Sequence, residues 1–306
     1  MDLSGKVAVV TGSGQGLGAA YARALAAAGA AVVVNDVNAE AAAATVADIT
    51  AAGGSAVPEV VGVGTTQAAR ALVDRAVQTF GRLDVMVTNA GILRDKVLWN
   101  LTDDDFDAVV HVHLRGTFTC AREAVRQFRE QGQGGRLILA GSPAGQRGNF
   151  GQTNYAAAKA GIAAFARTWA MECARAGVTV NAVIPNAATA MTRTIPFLAP
   201  YVEAMERGEP IPAVVRRAAS FGTADDVAPL VVYLASDAAA GVTGQCIGIG
   251  GDRLSLWSHP EEVRSAFRDG GWDADAIADA YPATVGEVPQ TFGIPLPKLP
   301  TTQGQV

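Results

Sequence analysis

The stretch that decides the fold is Val7-Ala-Val-Val-Thr-Gly-Ser-Gly-Gln-Gly-Leu-Gly18. Residues 7–11 are a short apolar run that predicts a buried β-strand, and the alanine-rich stretch 17–28 predicts a helix. Glycines between a strand and a helix let the backbone approach a pyrophosphate, whose charge is stabilised at the helix N-terminus. A tight turn alone does not require four glycines in seven residues. We therefore expect a dinucleotide site built from Gly12, Ser13, Gly14, Gln15, Gly16, Leu17 and Gly18.

Further apolar runs repeat along the chain with helical stretches between them. Continuous apolar strands that alternate with helices predict a parallel sheet covered on both faces. We expect an α/β, doubly wound Rossmann fold over residues 1–251, with a mainly parallel sheet of about seven strands and ligands at the carboxyl ends of the strands. The predicted strands after the first are 31–35, 56–63, 83–88, 136–140, 178–184 and 246–249.

Two regions do not follow this alternation. Residues 186–221 form a long irregular segment with apolar side chains and prolines, and a segment of this length is usually functional. We predict a substrate lid there; packing on the body or an oligomer contact is the alternative. Residues 252–306 are predicted to be a C-terminal extension whose last residues are mobile.

Composition excludes several function classes. The net charge is −5 and no basic block occurs, so neither nucleic acid nor an anionic membrane surface is an expected partner. We find no signal-like start and no membrane-spanning apolar run, and we expect a cytoplasmic protein. Cys120, Cys173 and Cys246 lack metal-ligand spacing and are predicted to be buried thiols, so no metal site is expected.

Asp36 ends the second predicted strand, where an acid can accept hydrogen bonds from a ribose diol. Its charge would repel a 2′-phosphate, and no Arg or Lys stands at Ser13, Gly14, Asn35 or Val37 to neutralise one. The sequence therefore favours NAD over NADP as the cofactor. A helix cap or a turn aspartate is the alternative for Asp36.

Tyr155 and Lys159 lie four residues apart in a predicted helix and project from the same face. A free tyrosine has a pKa of about 10 and is a poor acid–base catalyst at neutral pH. A neighbouring ammonium favours the phenolate and lowers that pKa. The pair alone arises often by chance, so its meaning depends on the rest of the chain.

Three motifs together resemble the single-domain short-chain dehydrogenase/reductase family: TGxxxGxG at residues 11–18, Asn89-Ala-Gly91, and Tyr155-xxx-Lys159. The resemblance covers about residues 5–251, and Ser142 stands thirteen residues before Tyr155, as that family's catalytic serine does. It implies that Tyr155 is a general base, that Lys159 lowers the Tyr155 pKa and binds the nicotinamide ribose, and that Ser142 orients the substrate oxygen. The cofactor groove would also include Asn89, Ala90, Gly91 and Pro185.

Longer strings, 89–95, 112–116, 148–152 and 185–187, resemble a narrower branch. They are similar to the (3R)-hydroxyacyl-CoA dehydrogenase (17β-hydroxysteroid dehydrogenase type 4) domains of peroxisomal multifunctional enzymes type 2 and to bacterial relatives. This resemblance implies oxidation of a 3-hydroxyacyl-CoA, with an acyl-CoA or a steroid as the small-molecule partner. The family also implies a homodimer or homotetramer.

Two positions depart from the wider family's pattern. His113 stands where most members carry a catalytic asparagine, so it is either part of the proton relay or a core or interface histidine. Val61-Gly-Val-Gly64 stands where an adenine-binding aspartate is expected, so adenine contacts there would come from the backbone near Val63.

A CoA substrate would favour cations at the mouth of the site, for which the candidates are Arg94, Lys96, Arg147 and Arg193. Three other functions stay open: a ketoreductase that runs the same site in reverse, a sugar epimerase or dehydratase, and a non-catalytic NAD-binding protein. The glycine spacing and the absence of a large substrate domain disfavour the epimerase, and the Ser142–Tyr155–Lys159 set disfavours the last.

Overall fold

A computed structural model describes residues 1–188 and 198–295. An eight-stranded sheet forms its centre, in the order β3-β2-β1-β4-β5-β6-β7-β8. The strands are β1 Val7–Val10, β2 Ala31–Asp36, β3 Ser55–Val60, β4 Val85–Thr88, β5 Gly135–Ala140, β6 Val178–Pro185, β7 Cys246–Gly250 and β8 Arg253–Trp257. The helices are α1 Gly16–Ala27, α2 Ala39–Ala51, α3 Thr66–Phe80, α4 Asp103–Val110, α5 Gly116–Gln131, α6 Pro143–Arg147, α7 Thr153–Glu172, α8 Ala199–Glu206, α9 Ala213–Ala218, α10 Ala228–Ala235 and α11 Ala274–Ala280.

Strands β1 to β7 pair in parallel, and the predicted doubly wound α/β fold is confirmed. The strand order reverses between β1 and β4, so the crevice between their carboxyl ends is the expected ligand site. The expected number of strands was one too low, because β8 pairs antiparallel with β7. Its Leu254 and Leu256 are exposed, so this edge strand lacks the continuous apolar run that marks a buried parallel strand.

Two apolar cores cover the two faces of the sheet. One packs α1 and α10 against the sheet, with Tyr21 and Leu25 fully buried. The other packs α3, α5 and α7 on the opposite face, with Phe128 and Ile162 at its centre. Burial on both faces explains why the central strands are apolar throughout.

Of the region predicted as a lid, residues 186–188 and 198–221 are described, and residues 189–197, including Arg193, lie outside the described residues. Helices α8 and α9 form a small separate core with Phe221. Arg216 of α9 forms ion pairs with Asp226 at 3.0 Å and Asp252 at 2.7 Å, which tie α9 to the segment before α10 and to the β7–β8 turn.

The cysteines at 120, 173 and 246 are buried free thiols, as predicted. Within the described ranges, no group of His, Cys, Asp and Glu side chains could hold a metal ion. In the same ranges, every helix is too short or too polar to cross a membrane. The extension is described to residue 295, so its final residues, which we predicted to be mobile, lie outside the described part.

Candidate active site

The glycine loop joins β1 to α1 with its backbone close to the neighbouring β4 loop. Gly12 has a φ of +61°, and a Cβ added there would lie 2.7 Å from the Ala90 Cα. A Cβ on Gly18 would collide with the Gly12 carbonyl oxygen. No side chain caps the N-terminus of α1, so its first N–H groups can bind an anion. The loop therefore has the form that a pyrophosphate requires.

Asn89, which follows β4, fixes this loop from the other side. Its side-chain amide donates to the Thr11 carbonyl at 3.1 Å and to the Gly12 carbonyl at 3.0 Å. The Thr11 hydroxyl in turn accepts from the N–H groups of Asn89 and Ala90. Asn89 therefore lines the groove and also holds its two walls together.

The Asp36 carboxylate at the end of β2 is half-buried and held in place by the backbone. It accepts from the Gly14 N–H at 3.0 Å and from the Asn38 N–H at 3.0 Å. The buried Asn35 side chain donates to the Val61 carbonyl at 2.8 Å, which fixes the stretch that includes Val63. Asp36 and Val63 thus lie on the same cleft, next to the glycine loop.

This cleft has a volume of about 510 Å³, within the range of ligand pockets of roughly 300–1,000 Å³. Its lining includes most of the predicted cofactor residues, namely Gly12, Gln15, Gly16, Leu17, Asp36, Val63, Asn89, Ala90, Gly91, Tyr155, Lys159 and Pro185. Ser13, Gly14 and Gly18 do not line it and instead support it from behind. The Ser13 hydroxyl, for example, donates to the Val10 carbonyl at 2.7 Å.

Tyr155 and Lys159 line the cleft, and Ser142 lies beside Tyr155. Ser142 caps the short helix α6, where its hydroxyl accepts from the Ala144 N–H at 3.2 Å and also bonds to Tyr155. Tyr155 and Lys159 project from α7, with the Lys159 Nζ 5.6 Å from the centre of the tyrosine ring. The same Nζ donates to the Ala140 carbonyl at 2.5 Å.

The electrostatics of this group differ from the expected effect of Lys159 on Tyr155. Burial is the largest influence on Tyr155 and raises its pKa, while the Ser142 hydrogen bond lowers the pKa and Asp95 raises it. Burial also lowers the pKa of Lys159 to about 7. Lys159 is 4% exposed, and desolvation is the cause of this lowering.

His113 lies in a five-residue π-helical segment, His111–Arg115, between α4 and α5. Its ring is 2% exposed and meets the Tyr155 ring edge-on, with centroids 5.1 Å apart. Nε2 lies 2.8 Å from the Ile92 carbonyl oxygen, and the buried Nδ1 has no partner among the described residues. Burial lowers the pKa of His113 to about 3, so the imidazole is neutral at working pH.

A set of polar contacts around Tyr155 involves residues for which the sequence predicted no role in the site. The Gln152 amide donates to the Asp95 carboxylate at 2.8 Å, and the buried Asn154 side chain donates to the Arg94 and Asp105 carbonyls. These bonds hold the loop after β4 against the start of α7. The sequence did contain a signal for these contacts, because their side chains belong to residues in or beside the strings that resemble the narrower branch.

The cationic side chains proposed to bind a CoA group differ in their contacts. Lys96 is paired with Asp105 at 2.6 Å, and Arg147 bonds to the C-terminal extension. Arg94 is exposed and bonds to the Leu93 carbonyl at 3.2 Å. Among the candidates in the described ranges, Arg94 alone bonds to a backbone group and not to another side chain.

Comparison with known proteins settles the family. The sequence profile described as "short chain dehydrogenase" matches residues 6–196. The chain belongs to the short-chain dehydrogenase family. It is therefore an oxidoreductase with the fold that binds a nicotinamide dinucleotide. A solved structure of a short chain dehydrogenase from Mycobacterium avium superimposes with a TM-score of 0.83 and 36% identity, and covers 96% of this chain and 99% of that one.

Three characterised relatives refine this assignment. Hydroxyacyl-CoA dehydrogenase ChsB1 of Mycobacterium tuberculosis is 43% identical over 89% of this chain and 86% of its own length. A 3-oxoacyl-[acyl-carrier-protein] reductase, FabG, of Thermotoga maritima is 38% identical over 82% of this chain and 98% of its own length. Peroxisomal multifunctional enzyme type 2 of Mus musculus is 43% identical over 64% of this chain, which spans 27% of that enzyme. The narrower resemblance is thus confirmed.

Proposed function

We propose that this protein oxidises the secondary alcohol of a 3-hydroxyacyl-CoA to a ketone with NAD⁺ as the hydride acceptor. One observation carries the proposal: Tyr155, with Ser142 beside it, and Lys159 line the same cleft as Asp36. The first group suits proton transfer from an alcohol, and Asp36 suits an unphosphorylated ribose.

The cleft residues fit a dinucleotide. The loop from Gly12 to Gly18 and the uncapped start of α1 would hold the pyrophosphate, and Asp36 would accept from the adenosine ribose hydroxyls. The backbone near Val63 would border the adenine, and Asn89 and Gly91 would border the nicotinamide half. When bound there, NAD⁺ supplies the hydride-accepting group.

Tyr155 is the proposed general base. Its phenolate oxygen takes the proton of the substrate hydroxyl, while the Ser142 hydroxyl donates to the substrate oxygen and orients it. By analogy with a single oxyanion donor, that hydrogen bond contributes about 3 kcal/mol. Charged Lys159 favours the phenolate, and its Nζ–Ala140 bond of 2.5 Å fixes where this charge stands.

His113 serves in this proposal as a positioning residue. With a pKa of about 3, the His113 imidazole does not take up a second proton at neutral pH, which disfavours an imidazolium relay. Its edge-on contact instead fixes the Tyr155 ring, and its bond to Ile92 fixes the loop after Gly91.

The substrate class rests on the relatives and on Asp36. The similarity to a hydroxyacyl-CoA dehydrogenase spans most of both chains. The similarity to FabG keeps one alternative open, reduction of a 3-oxoacyl group on a carrier, and a hydroxysteroid is a further candidate substrate. We also propose a cytoplasmic homodimer or homotetramer assembled through α4, α5 and α7, where Phe106 and Phe118 are 40% and 39% exposed.

The test is a substrate screen that follows NADH formation. The substrates are 3-hydroxybutyryl-CoA, 3-hydroxydecanoyl-CoA, a steroid side-chain 3-hydroxyacyl-CoA, the free 3-hydroxy acids and a 17-hydroxysteroid. We expect oxidation of the CoA thioesters with NAD⁺ and much slower oxidation of the free acids. Equal rates for thioesters and free alcohols, or activity with the hydroxysteroid alone, would contradict the proposed substrate class. Sedimentation velocity tests the assembly, and a monomer would contradict it.

A further inference from the structure

A second cavity, of about 270 Å³, lies beside the catalytic group. Its lining is largely apolar and combines the lid region, through Leu198 and Phe221, with the β7–β8 edge, through Trp257. The C-terminal extension supplies a further wall with Ile294. Arg253 is the one charged side chain among its described lining residues. The volume falls just below the range of roughly 300–1,000 Å³ for pockets that hold a whole ligand, so it suits part of a substrate.

The backbone shows that this cavity adjoins the reacting group. After β5, Gly141 lines the large cleft and Pro143 lines the second cavity, with Ser142 between them. Pro185, the last residue of β6, lines the large cleft, and Asn186, which follows it, lines the second cavity. Two separate chain segments therefore pass from one cavity to the other at the level of Ser142.

The extension is anchored to the helix that Ser142 caps. The Arg147 guanidinium donates to the Gly293 carbonyl at 3.1 Å and to the Thr291 hydroxyl at 2.7 Å. The Gly293 N–H returns a bond to the Arg147 carbonyl at 2.8 Å. This three-bond connection joins residues 146 positions apart and places Ile294 at the cavity.

The far wall depends on a glycine in β7. A Cβ at Gly248 would lie 2.5 Å from the Ser255 hydroxyl oxygen and 3.0 Å from the Trp257 Nε1. Gly248 therefore lets β8 bring the indole across the strand. The result is a pocket closed by an indole on one side and by an isoleucine of the extension on another.

We propose that this cavity binds the alkyl part of the 3-hydroxyacyl-CoA, the carbons beyond the reacting C3, and that the Arg147-anchored extension sets the preferred chain length. This inference rests on the proposed function. The apolar lining suits the alkyl chain, while the polar pantetheine and phosphate groups would lie outside it. Such a cavity would discriminate between chain lengths, because each methylene that it buries contributes about 0.8 kcal/mol of binding free energy.

The experiment compares kcat/KM for 3-hydroxydecanoyl-CoA and 3-hydroxybutyryl-CoA in the full-length protein. Ser255→Phe fills the cavity, Ile294→Ala removes part of its wall, and Arg147→Gln releases the anchor. Phe292→Ala is the matched control, because Phe292 lies in the same segment but is 92% exposed. We expect the long-to-short ratio to fall about tenfold in the first three variants, the effect of one or two methylenes in an apolar pocket, and to stay unchanged in the control.

The outcomes separate the two claims. If the wild-type protein oxidises neither thioester, the proposed function fails. If it oxidises both and the three variants keep the wild-type ratio, the chain-length inference is overturned while the function stands. A fall in Ser255→Phe alone would place the chain in the cavity but contradict the role of the extension. Circular dichroism and the KM for NAD⁺ show whether each variant is folded.

Discussion

The charge of Asp36 predicts which cofactor is preferred, and the size of that preference can be calculated as a difference in binding free energy. The Asp36→Asn variant keeps the shape of the side chain and one oxygen that can accept from the Gly14 or Asn38 N–H. It removes the negative charge that would face a 2′-phosphate. We expect the preference for NAD⁺ over NADP⁺ to fall sharply.

The magnitude has two parts. At about 5 Å and an effective dielectric constant of about 20, two unit charges repel by about 3 kcal/mol. Because Asp36 is half-buried, screening by solvent reduces this to about 2 kcal/mol, or about 30-fold in binding. A neutral amide also binds the ribose hydroxyls more weakly than a carboxylate does, by about 1 kcal/mol. The kcat/KM ratio of NAD⁺ to NADP⁺ should therefore fall by roughly 100-fold.

The assay is steady-state oxidation of one 3-hydroxyacyl-CoA with each cofactor, for the wild-type protein and the variant. Asp48→Asn is the matched control, because Asp48 lies exposed on α2 and pairs with Arg23 at 3.7 Å, away from the cleft. A wild-type protein that uses NADP⁺ as well as NAD⁺ would refute the reasoning. So would an Asp36→Asn variant whose ratio changes by less than about threefold.

Three further predictions follow from the site and the core. Ser142→Ala removes the hydrogen bond that lowers the Tyr155 pKa. Because oxidation needs the unprotonated phenol, the rise of kcat with pH should move to higher pH. An unshifted pH–rate profile would show that the bond has no such effect. His113→Asn should lower kcat about tenfold, because the edge-on contact with Tyr155 is lost. The pH–rate profile above about pH 5 should stay unchanged, since the His113 pKa is about 3. A changed pH–rate profile in that range would support a relay through a titrating His113. Phe128→Ala should lower the free energy of unfolding by about 3–5 kcal/mol in urea titration, whereas Phe267→Ala, at 92% exposure, should cost far less. Equal losses in the two phenylalanine variants would contradict the described core.

Much of this architecture could be predicted because local patterns decide it. The apolar runs predicted β1 to β7, and the glycine loop predicted where the cofactor cleft opens. The family resemblance implied that Ser142 lies with Tyr155 and Lys159, and the topology brings Ser142 next to Tyr155, because β5 and α7 bring their ends to the same edge of the sheet.

The rest depends on contacts between distant residues or on burial. Strand β8 was not predicted, because it forms through its pairing with β7 and its composition does not mark it as a strand. The bond from Arg147 to Gly293 has no local signal at either end. The lowered pKa of Lys159 follows from desolvation, which only the packed structure reveals.

The central claim is that Tyr155 performs proton transfer in an NAD-dependent alcohol oxidation. The most direct measurement is the rate of NADH formation by Tyr155→Phe with a 3-hydroxyacyl-CoA, together with NAD⁺ affinity by calorimetry. Loss of a general base should reduce kcat at least about 100-fold. We predict this loss with the Kd for NAD⁺ unchanged within about threefold, because the phenylalanine keeps the ring that packs against His113. A variant that oxidises the substrate at nearly the wild-type rate would contradict the account.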